Sequence, residues 1–202
     1  MQTTVSALKQ SDPRRAGGDV LVLGAGSWGT ALAAQLASCG SQVMLWARRE
    51  DVVKDIAENA RNTAYLKDIS LPRMSATCDL NQLVTRRFDC MVTAIPSAFS
   101  IDIWMALRDK GLEISSIFSA TKGLVKHPSG GYELCTDGLG RYFPDSSVGV
   151  LSGPSFAVEV AASSTASPHP TAIVASGDAH LTALARTLFS SRYFRVYESS
   201  DT

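Results

Sequence analysis

The sequence lacks an apolar run long enough to cross a bilayer, which takes about 20 consecutive apolar residues. It also lacks an excess of either charge, because 19 basic and 19 acidic residues give a formal net charge of zero. A neutral chain exerts no broad attraction on nucleic acid or on an anionic membrane. We therefore expect an ordinary globular protein of the cytoplasm, with neither nucleic acid nor a membrane as its main partner.

Cysteine and histidine are scarce and scattered. The cysteines show none of the paired spacings of metal sites, and the histidines lie in polar or proline-rich surroundings without an acidic partner at a telling distance. We expect free thiols, as in a reducing compartment, loop or surface histidines, and no metal site. These residues are Cys39, Cys78, Cys90, Cys135, His127, His169 and His180.

The first eighteen residues are polar and include Pro13 and the pair Gly17-Gly18. They have no apolar core of the kind that a secretory signal needs. We interpret residues 1–18 as a flexible lead-in and residues 19–202 as a single folded domain.

Strand and helix patterns alternate along the rest of the chain, which predicts an α/β, doubly wound, mostly parallel sheet of the Rossmann-like class. The low-complexity stretch Ala161–Pro170 is expected to be a loop. Predicted strands are Val20–Leu23, Val43–Trp46, Cys90–Ile95, Ile117–Ala120, Ser147–Leu151, Ala172–Ala175 and Phe194–Tyr197. Predicted helices are Thr30–Ala37, Glu50–Ala60, Asp79–Val84, Phe99–Lys110, Tyr132–Tyr142, Phe156–Ala162 and Ala179–Phe189, with a loop at residues 62–72.

A glycine motif joins the first strand to the first helix. The triplet Gly24-x-Gly26-x-x-Gly29 follows the apolar strand directly. In such motifs the first glycine makes a tight turn, the second lets backbone approach a pyrophosphate, and the third lets the helix pack on the sheet. The helix N-terminus adds free N–H groups and a positive dipole end. The strand–turn–helix–strand context predicts a dinucleotide site, so we interpret residues 19–202 as a dinucleotide-binding domain.

The end of the second strand bears on which dinucleotide binds. NAD-selective sites usually place Asp or Glu there to hold the ribose 2′-hydroxyl, whereas this chain has Arg48 and Arg49 and no acid before Glu50. Arginine forms forked, charge-assisted bonds to phosphate oxygens. The two arginines therefore favour NADP(H), and NAD(H) is the alternative cofactor. The alternative role for the two arginines is a solvated pair at the start of the next helix.

Two further motifs follow predicted parallel strands, where open α/β sheets bind ligands. Lys122 lies in Ser119-Ala120-Thr121-Lys122-Gly123 and either directs its ammonium at a ligand or begins a solvated loop. Gly153-Pro154-Ser155 combines close approach, a proline suited to a first helical turn and a hydroxyl near exposed N–H groups. It forms either a small anion cradle or an ordinary capped helix start.

Taken together, these motifs resemble the NAD(P)-dependent glycerol-3-phosphate dehydrogenases, particularly the bacterial type. The resemblance runs from Val20 to the end of the chain. The Thr-Lys-Gly and Ser-Gly-Pro-Ser-Phe-Ala motifs are more specific than the glycine triplet. The matching segments, in order, are residues 24–31, 46–48, 62–66, 95–97, 119–123, 151–160 and 194–197.

The resemblance implies reversible hydride transfer between NAD(P)H and dihydroxyacetone phosphate, giving sn-glycerol 3-phosphate for phospholipid synthesis. It implies that Lys122 contacts cofactor and substrate, and that Gly153 and Ser155 contact substrate. It also implies a homodimer in the full-length form. The implied cofactor contacts, with the glycine triplet, are Gly24, Gly26, Ser27, Trp28, Gly29, Arg48, Arg49, Tyr65, Pro96, Lys122 and Ala157.

The family's sheet domain is followed by an all-helical domain, which supplies the proton-transfer lysine and much of the phosphate site. We expect that domain to be missing from these 202 residues, so that the chain binds cofactor but turns over very poorly. Two alternatives stay open from the residues. One is another two-domain NAD(P)-dependent dehydrogenase of a small hydroxy or acyl substrate, and the other is a non-catalytic nucleotide-binding module.

Overall fold

An eight-stranded sheet forms the centre of the computed structural model, which describes residues 17–163 and 171–200. The strand order is β12-β11-β10-β7-β6-β1-β2-β5, and neighbours are parallel except for the antiparallel pair β10–β11. These strands are β1 (Asp19–Leu23), β2 (Gln42–Trp46), β5 (Ser75–Thr77), β6 (Cys90–Thr93), β7 (Ser116–Ser119), β10 (Ser147–Ser152), β11 (Thr171–Ser176) and β12 (Phe194–Ser199). The predicted doubly wound, mostly parallel fold is confirmed.

Two small hairpins flank the sheet, β3 (Arg61–Asn62) with β4 (Leu66–Ser70) and β8 (Leu124–Lys126) with β9 (Tyr132–Leu134). The helices are α1 (Ser27–Ser38), α2 (Glu50–Asn59), α3 (Leu80–Val84), α4 (Ser97–Asp109), α5 (Cys135–Tyr142), α6 (Ala157–Ser163) and α7 (Ala179–Phe189). Every helix in the described part of the chain is too short or too polar to cross a bilayer.

The helices pack on both faces of the sheet around two apolar cores. Strand β1 supplies both cores, because Val20 and Val22 face one and Leu21 and Leu23 face the other, all fully buried. Helices α1, α2, α6 and α7 cover the first face, and α3, α4 and α5 cover the second. A strand buried on both faces reads as a continuous apolar run, as expected of a central parallel strand.

The topology reverses direction at β1. From β1 the chain adds β2 and β5 on one side, and it then crosses back to add β6, β7 and β10 on the other. In open α/β sheets such a switch point leaves a crevice at the carboxyl ends of the strands. The fold therefore places the ends of β1, β2 and β6 together.

Three sequence-based expectations were wrong in detail. The expected loop at residues 62–72 contains the β3–β4 hairpin, held down by the buried side chains of Asn62 and Leu66. The helix expected at Tyr132–Tyr142 begins only at Cys135, because Gly130 and Gly131 adopt positive φ and turn the chain back to pair β9 with β8. The short edge strand β5 was not expected at all.

Two other expectations fall largely outside the described residues. Of the expected lead-in, the structure describes only Gly17 and Gly18, and the Gly18 carbonyl accepts a hydrogen bond of 3.0 Å from the Gln42 N–H. Of the expected loop at Ala161–Pro170, residues 161–163 belong to α6, and residues 164–170, including His169, lie outside the described part.

Candidate functional site

A groove of about 690 Å³ opens at the carboxyl ends of β1, β2, β6 and β7. Most of its lining comes from the segments that directly follow these strands. Helix α4 and the β3–β4 hairpin close its sides with Phe99, Asp102, Ile103 and Tyr65. The segments after the strands contribute residues 24–29, 46–49, 94–97 and 121–122.

Two of the three motif glycines are required by the protein itself. Gly24 has a φ of +105°, and a Cβ there would lie 2.7 Å from the carbonyl oxygen of Ala94. A Cβ on Gly29 would lie 1.9 Å from the carbonyl oxygen of Gly24. These two positions allow the tight turn and the close packing of α1 on the sheet.

Gly26 is different, because nothing in the fold requires a glycine there. Its φ of −69° and ψ of 179° suit any residue, and an added Cβ would meet no heavy atom within 4 Å. Gly26 caps α1 without a side-chain hydrogen bond, and the first turn holds no acidic residue. A side chain at this position would project into open space beside the helix N-terminus. This open space belongs to the groove, which Gly26 lines.

Asn62 holds the glycine loop in place through its side-chain amide. Its fully buried amide donates to the Ala25 carbonyl oxygen at 2.9 Å and to the Thr30 Oγ1 at 2.8 Å. Its Oδ1 has no partner among the described residues. In the sequence, Asn62 stands out only as part of the matching segment 62–66. No local pattern shows that its side chain reaches the glycine loop.

The two arginines after β2 lie in different environments. The Arg48 guanidinium carbon lies 5.2 Å from the ring centre of Phe99, and no carboxylate pairs with it in the described part of the chain. The Arg49 Nε lies 3.0 Å from Asp51 Oδ1, and its Nη2 donates to Asp51 Oδ2. The pKa of Arg49 is raised, mainly by its hydrogen bond to Asp51 and to a smaller extent by one to Tyr65. The same bond from Arg49 lowers the pKa of Asp51.

Lys122 and Pro96 lie at the other side of the groove, after β7 and β6. Pro96 caps α4, and Lys122 is exposed at the rim. The preceding residue, Thr121, anchors this turn with a bond of 3.3 Å from its Oγ1 to the Thr93 carbonyl. The groove brings together ten of the predicted site residues: Gly24, Gly26, Ser27, Trp28, Gly29, Arg48, Arg49, Tyr65, Pro96 and Lys122.

Gly153, Ser155 and Ala157 do not line this groove. They follow β10, which is parallel to β7, so the chain leaves both strands at the same edge of the sheet. Ala157 begins α6, which packs against α1. Lys122 and Gly153 thus follow neighbouring strands, and the roles of these three residues stay predictions.

No group of three or more His, Cys, Asp or Glu side chains within residues 17–163 and 171–200 could hold a metal ion.

The sequence did not indicate Phe99, Asp102 and Ile103 as lining residues of the groove. They belong to the first two turns of α4, and only the three-dimensional position of that helix directs them at the groove.

A family model described as the N-terminus of NAD-dependent glycerol-3-phosphate dehydrogenase matches residues 19–182. The chain belongs to this family. The expected resemblance is confirmed, and the match covers the glycine loop and every residue that lines the groove. The alternative of a different two-domain dehydrogenase does not agree with this match.

Curated relatives point to the same family. The glycerol-3-phosphate dehydrogenase [NAD(P)+] of Rickettsia typhi is 34% identical over 185 residues, which cover 91% of this chain and 55% of that protein. The enzyme of the same name from Oceanobacillus iheyensis is 37% identical over 188 residues, covering 90% and 51%. The chain spans about half the length of the curated relatives it matches.

A solved structure extends the likeness to three dimensions. The crystal structure of glycerol-3-phosphate dehydrogenase from Coxiella burnetii superposes with a TM-score of 0.81 at 29% identity, covering 93% of this chain and 55% of that chain. Nearly all of this chain thus shares its fold with about half of that chain.

Proposed function

We propose that this chain binds NADP(H) in the groove and serves as the cofactor domain of a glycerol-3-phosphate dehydrogenase. The reaction is reversible hydride transfer between NAD(P)H and dihydroxyacetone phosphate, giving sn-glycerol 3-phosphate. The observation that carries the proposal is Gly26, where the fold leaves open space at the N-terminus of α1. Family membership and relatives named glycerol-3-phosphate dehydrogenase [NAD(P)+] support the reaction.

The N-terminus of α1 suits a pyrophosphate. Its first turn offers backbone N–H groups and the positive end of the helix dipole, with no capping side chain or first-turn acid in competition. Ser27 and Trp28 belong to that turn and line the groove. The bound dinucleotide would supply the hydride chemistry at its nicotinamide ring.

The end of β2 suits the adenosine ribose. Strand β2 is followed by Ala47, Arg48 and Arg49, so the position where NAD-selective sites usually carry Asp or Glu to hold the 2′-hydroxyl has no acidic residue. Arg48 has no carboxylate partner in the described residues and faces the groove beside Phe99. Its forked donors suit a 2′-phosphate. We therefore assign NADP(H) as the preferred cofactor, with Arg49 and Tyr65 as further contacts.

The substrate is proposed to bind where the chain leaves β7 and β10. The Lys122 ammonium would pair with the substrate's charged oxygens and contact the cofactor, because it lies at the groove rim. Gly153 and Ser155 would offer N–H and hydroxyl donors to substrate, and Ala157 would contact the cofactor. Charge that develops on an oxygen during hydride transfer is stabilised by such fixed donors.

We do not assign Lys122 as the proton-transfer residue. The resemblance places that role on a lysine of a helical domain, together with much of the phosphate site. We also expect a homodimer of the full-length form and a cytoplasmic location, which agrees with four free thiols.

Nucleotide titration tests the proposal. The chain is titrated with NADPH and NADH while nicotinamide fluorescence is followed, and the titration is repeated with Arg48→Ala. The control is Arg87→Ala, because Arg87 is exposed and lines a separate cavity at the amino ends of the strands. Saturable NADPH binding that weakens only with Arg48→Ala is expected. Absence of binding to either nucleotide would contradict the proposal.

Turnover separates the remaining alternatives. A longer, two-domain form is expected to reduce dihydroxyacetone phosphate, whereas a strong preference for a non-phosphorylated alcohol would refute the substrate assignment. Equal turnover by the 202-residue chain and the longer form would show that no second domain is needed. Absence of turnover by the longer form would favour a non-catalytic nucleotide-binding module.

A further inference from the structure

The Arg49 guanidinium is paired with a carboxylate of this chain, that of Asp51. Arg49 occupies the N-cap position of α2, and Asp51 lies in the first turn of the same helix. One carboxylate takes both donors on one edge of the guanidinium, with Nε 3.0 Å from Oδ1 and Nη2 bonded to Oδ2. This edge is the one that matches a carboxylate or a phosphate in a forked geometry. The pair lies at the groove, which Arg49 lines.

The neighbouring arginine is not engaged in this way. Arg48 stacks on the half-exposed ring of Phe99, and its donors meet no carboxylate among the described residues. The two guanidiniums therefore differ in what an incoming phosphate would have to displace. Arg48 is available at once, whereas Arg49 has to exchange its partner.

We propose that Asp51 reduces the preference for NADP(H) over NAD(H) by competing with the 2′-phosphate for Arg49. The inference rests on the proposed function, because it concerns the cofactor of that same groove. A 2′-phosphate that takes the forked edge of Arg49 displaces Asp51 and then lies close to a second anion. NAD(H) carries only a hydroxyl at this position and leaves the pair intact. Asp51 thus weakens the binding of NADP(H) but not that of NAD(H), and it reduces the difference between the two affinities.

Glu50 offers a matched control for this competition. It precedes Asp51 in the same helical turn and is exposed, and it forms no side-chain hydrogen bond or ion pair within the described residues. Glu50→Gln removes the same charge one residue away. Any effect of charge acting through space is shared by both variants, so only the effect of the direct contact distinguishes them.

The experiment measures Kd for NADPH and NADH with the wild-type chain, Asp51→Asn and Glu50→Gln. An ion pair between two exposed side chains contributes little, because water and salt screen it. Asp51→Asn is therefore expected to lower the NADPH Kd by about two- to fivefold at most relative to Glu50→Gln, with the NADH Kd unchanged. The double variant Arg49→Gln/Asp51→Asn is expected to bind NADPH no better than Arg49→Gln alone.

Three results would overturn the inference. Equal effects of Asp51→Asn and Glu50→Gln would show charge acting through space and no competition. Weaker NADPH binding by Asp51→Asn would show that Asp51 orients Arg49 for the phosphate. Equal gains for NADPH and NADH would show no selectivity. If the wild-type chain binds neither nucleotide, the proposed function fails as well, and that outcome is distinct from the other three.

Discussion

A Cβ on Gly29 would lie 1.9 Å from the carbonyl oxygen of Gly24. The oxygen is a backbone atom, and the position of the Cβ is fixed by the backbone of Gly29. No flexible side chain can therefore move aside to relieve the contact. Gly29→Ala is expected to lower the free energy of unfolding by about 3 kcal/mol, at the upper end of ordinary overpacking costs. Urea denaturation followed by circular dichroism measures this, and a loss below about 0.5 kcal/mol would contradict the packing role.

Gly26→Ala is expected to separate folding from binding. The added methyl group meets no protein atom, and the backbone conformation suits alanine. Alanine caps a helix less well than glycine, so a small loss of stability, below about 1 kcal/mol, is expected. NADPH binding should weaken by about tenfold or more, equivalent to about 1.4 kcal/mol, because the methyl group occupies the space proposed for pyrophosphate. Unchanged affinity would remove the main support for that placement.

Asn62→Ala is expected to loosen the glycine loop. The substitution removes two buried hydrogen bonds and leaves the Ala25 carbonyl without its donor, which costs about 1–3 kcal/mol. NADPH affinity should fall as well, because Ala25 lies between two motif glycines. Asn59→Ala is the control, since its amide bonds only an exposed carboxylate of Asp55. Similar losses of stability for both variants would argue against the role of Asn62.

Phe99→Ala is expected to weaken NADPH binding without a comparable effect on NADH. The ring supports the Arg48 guanidinium at 5.2 Å, and such contacts contribute about 0.5–1 kcal/mol at exposed sites. The NADPH Kd should therefore rise about two- to fivefold. Met105→Ala removes another exposed apolar side chain of α4 that does not line the groove. It should leave both Kd values unchanged, and equal weakening of both cofactors by Phe99→Ala would count against support of Arg48.

Asp178 gives the stability of the chain a dependence on acid pH. Its Oδ1 accepts a bond of 2.8 Å from the Leu181 N–H at the start of α7, and this bond is the main cause that lowers the pKa of Asp178. A carboxyl with a lowered folded pKa stabilises the fold fully above its unfolded pKa, near 3.9. The contribution is lost as pH falls through the folded pKa.

The side chain introduced by Asp178→Asn keeps a capping oxygen but does not titrate. The difference in free energy of unfolding between Asp178→Asn and the wild type should therefore change with pH. The stability of the wild type relative to Asp178→Asn is expected to decline as pH falls from about 5 to about 2. Asp178→Ala should cost about 1 kcal/mol at pH 7. Urea denaturation at several pH values measures both, and a difference independent of pH would exclude the carboxylate as the source.

The parts of the site that are contiguous in sequence could be predicted from it. The spacing of the three glycines is visible in the sequence, and so are the strand before them and the helix after them. The placement of Lys122 at the ligand-binding edge of the sheet also followed, because the carboxyl ends of parallel strands share that edge. These residues lie in the groove as expected.

The rest depended on contacts between distant segments. Asn62 reaches the glycine loop across 37 residues of chain, and Phe99 meets Arg48 only after β6 and β2 are placed in one sheet. Tyr132–Leu134 were wrongly expected to be helical, since pairing with β8 decides their conformation. The engagement of Arg49 by Asp51 was also not foreseen, because charges two residues apart do not face each other in a regular helix.

The burial of β1 on both faces has a consequence for strand registration. A slip by one residue exchanges the sides of Val20 and Leu21, yet both sides are apolar, so hydrophobic patterning alone does little to oppose it. Hydrogen bonds at the two ends of the strand do oppose it. The Asp19 N–H donates to Asp89 Oδ2 at 2.8 Å, and the Gly24 N–H donates to the Trp46 carbonyl at 2.9 Å. A slip would carry the glycine loop about 3.3 Å along the sheet, so these two bonds help to fix the position of that loop relative to β2 and β6.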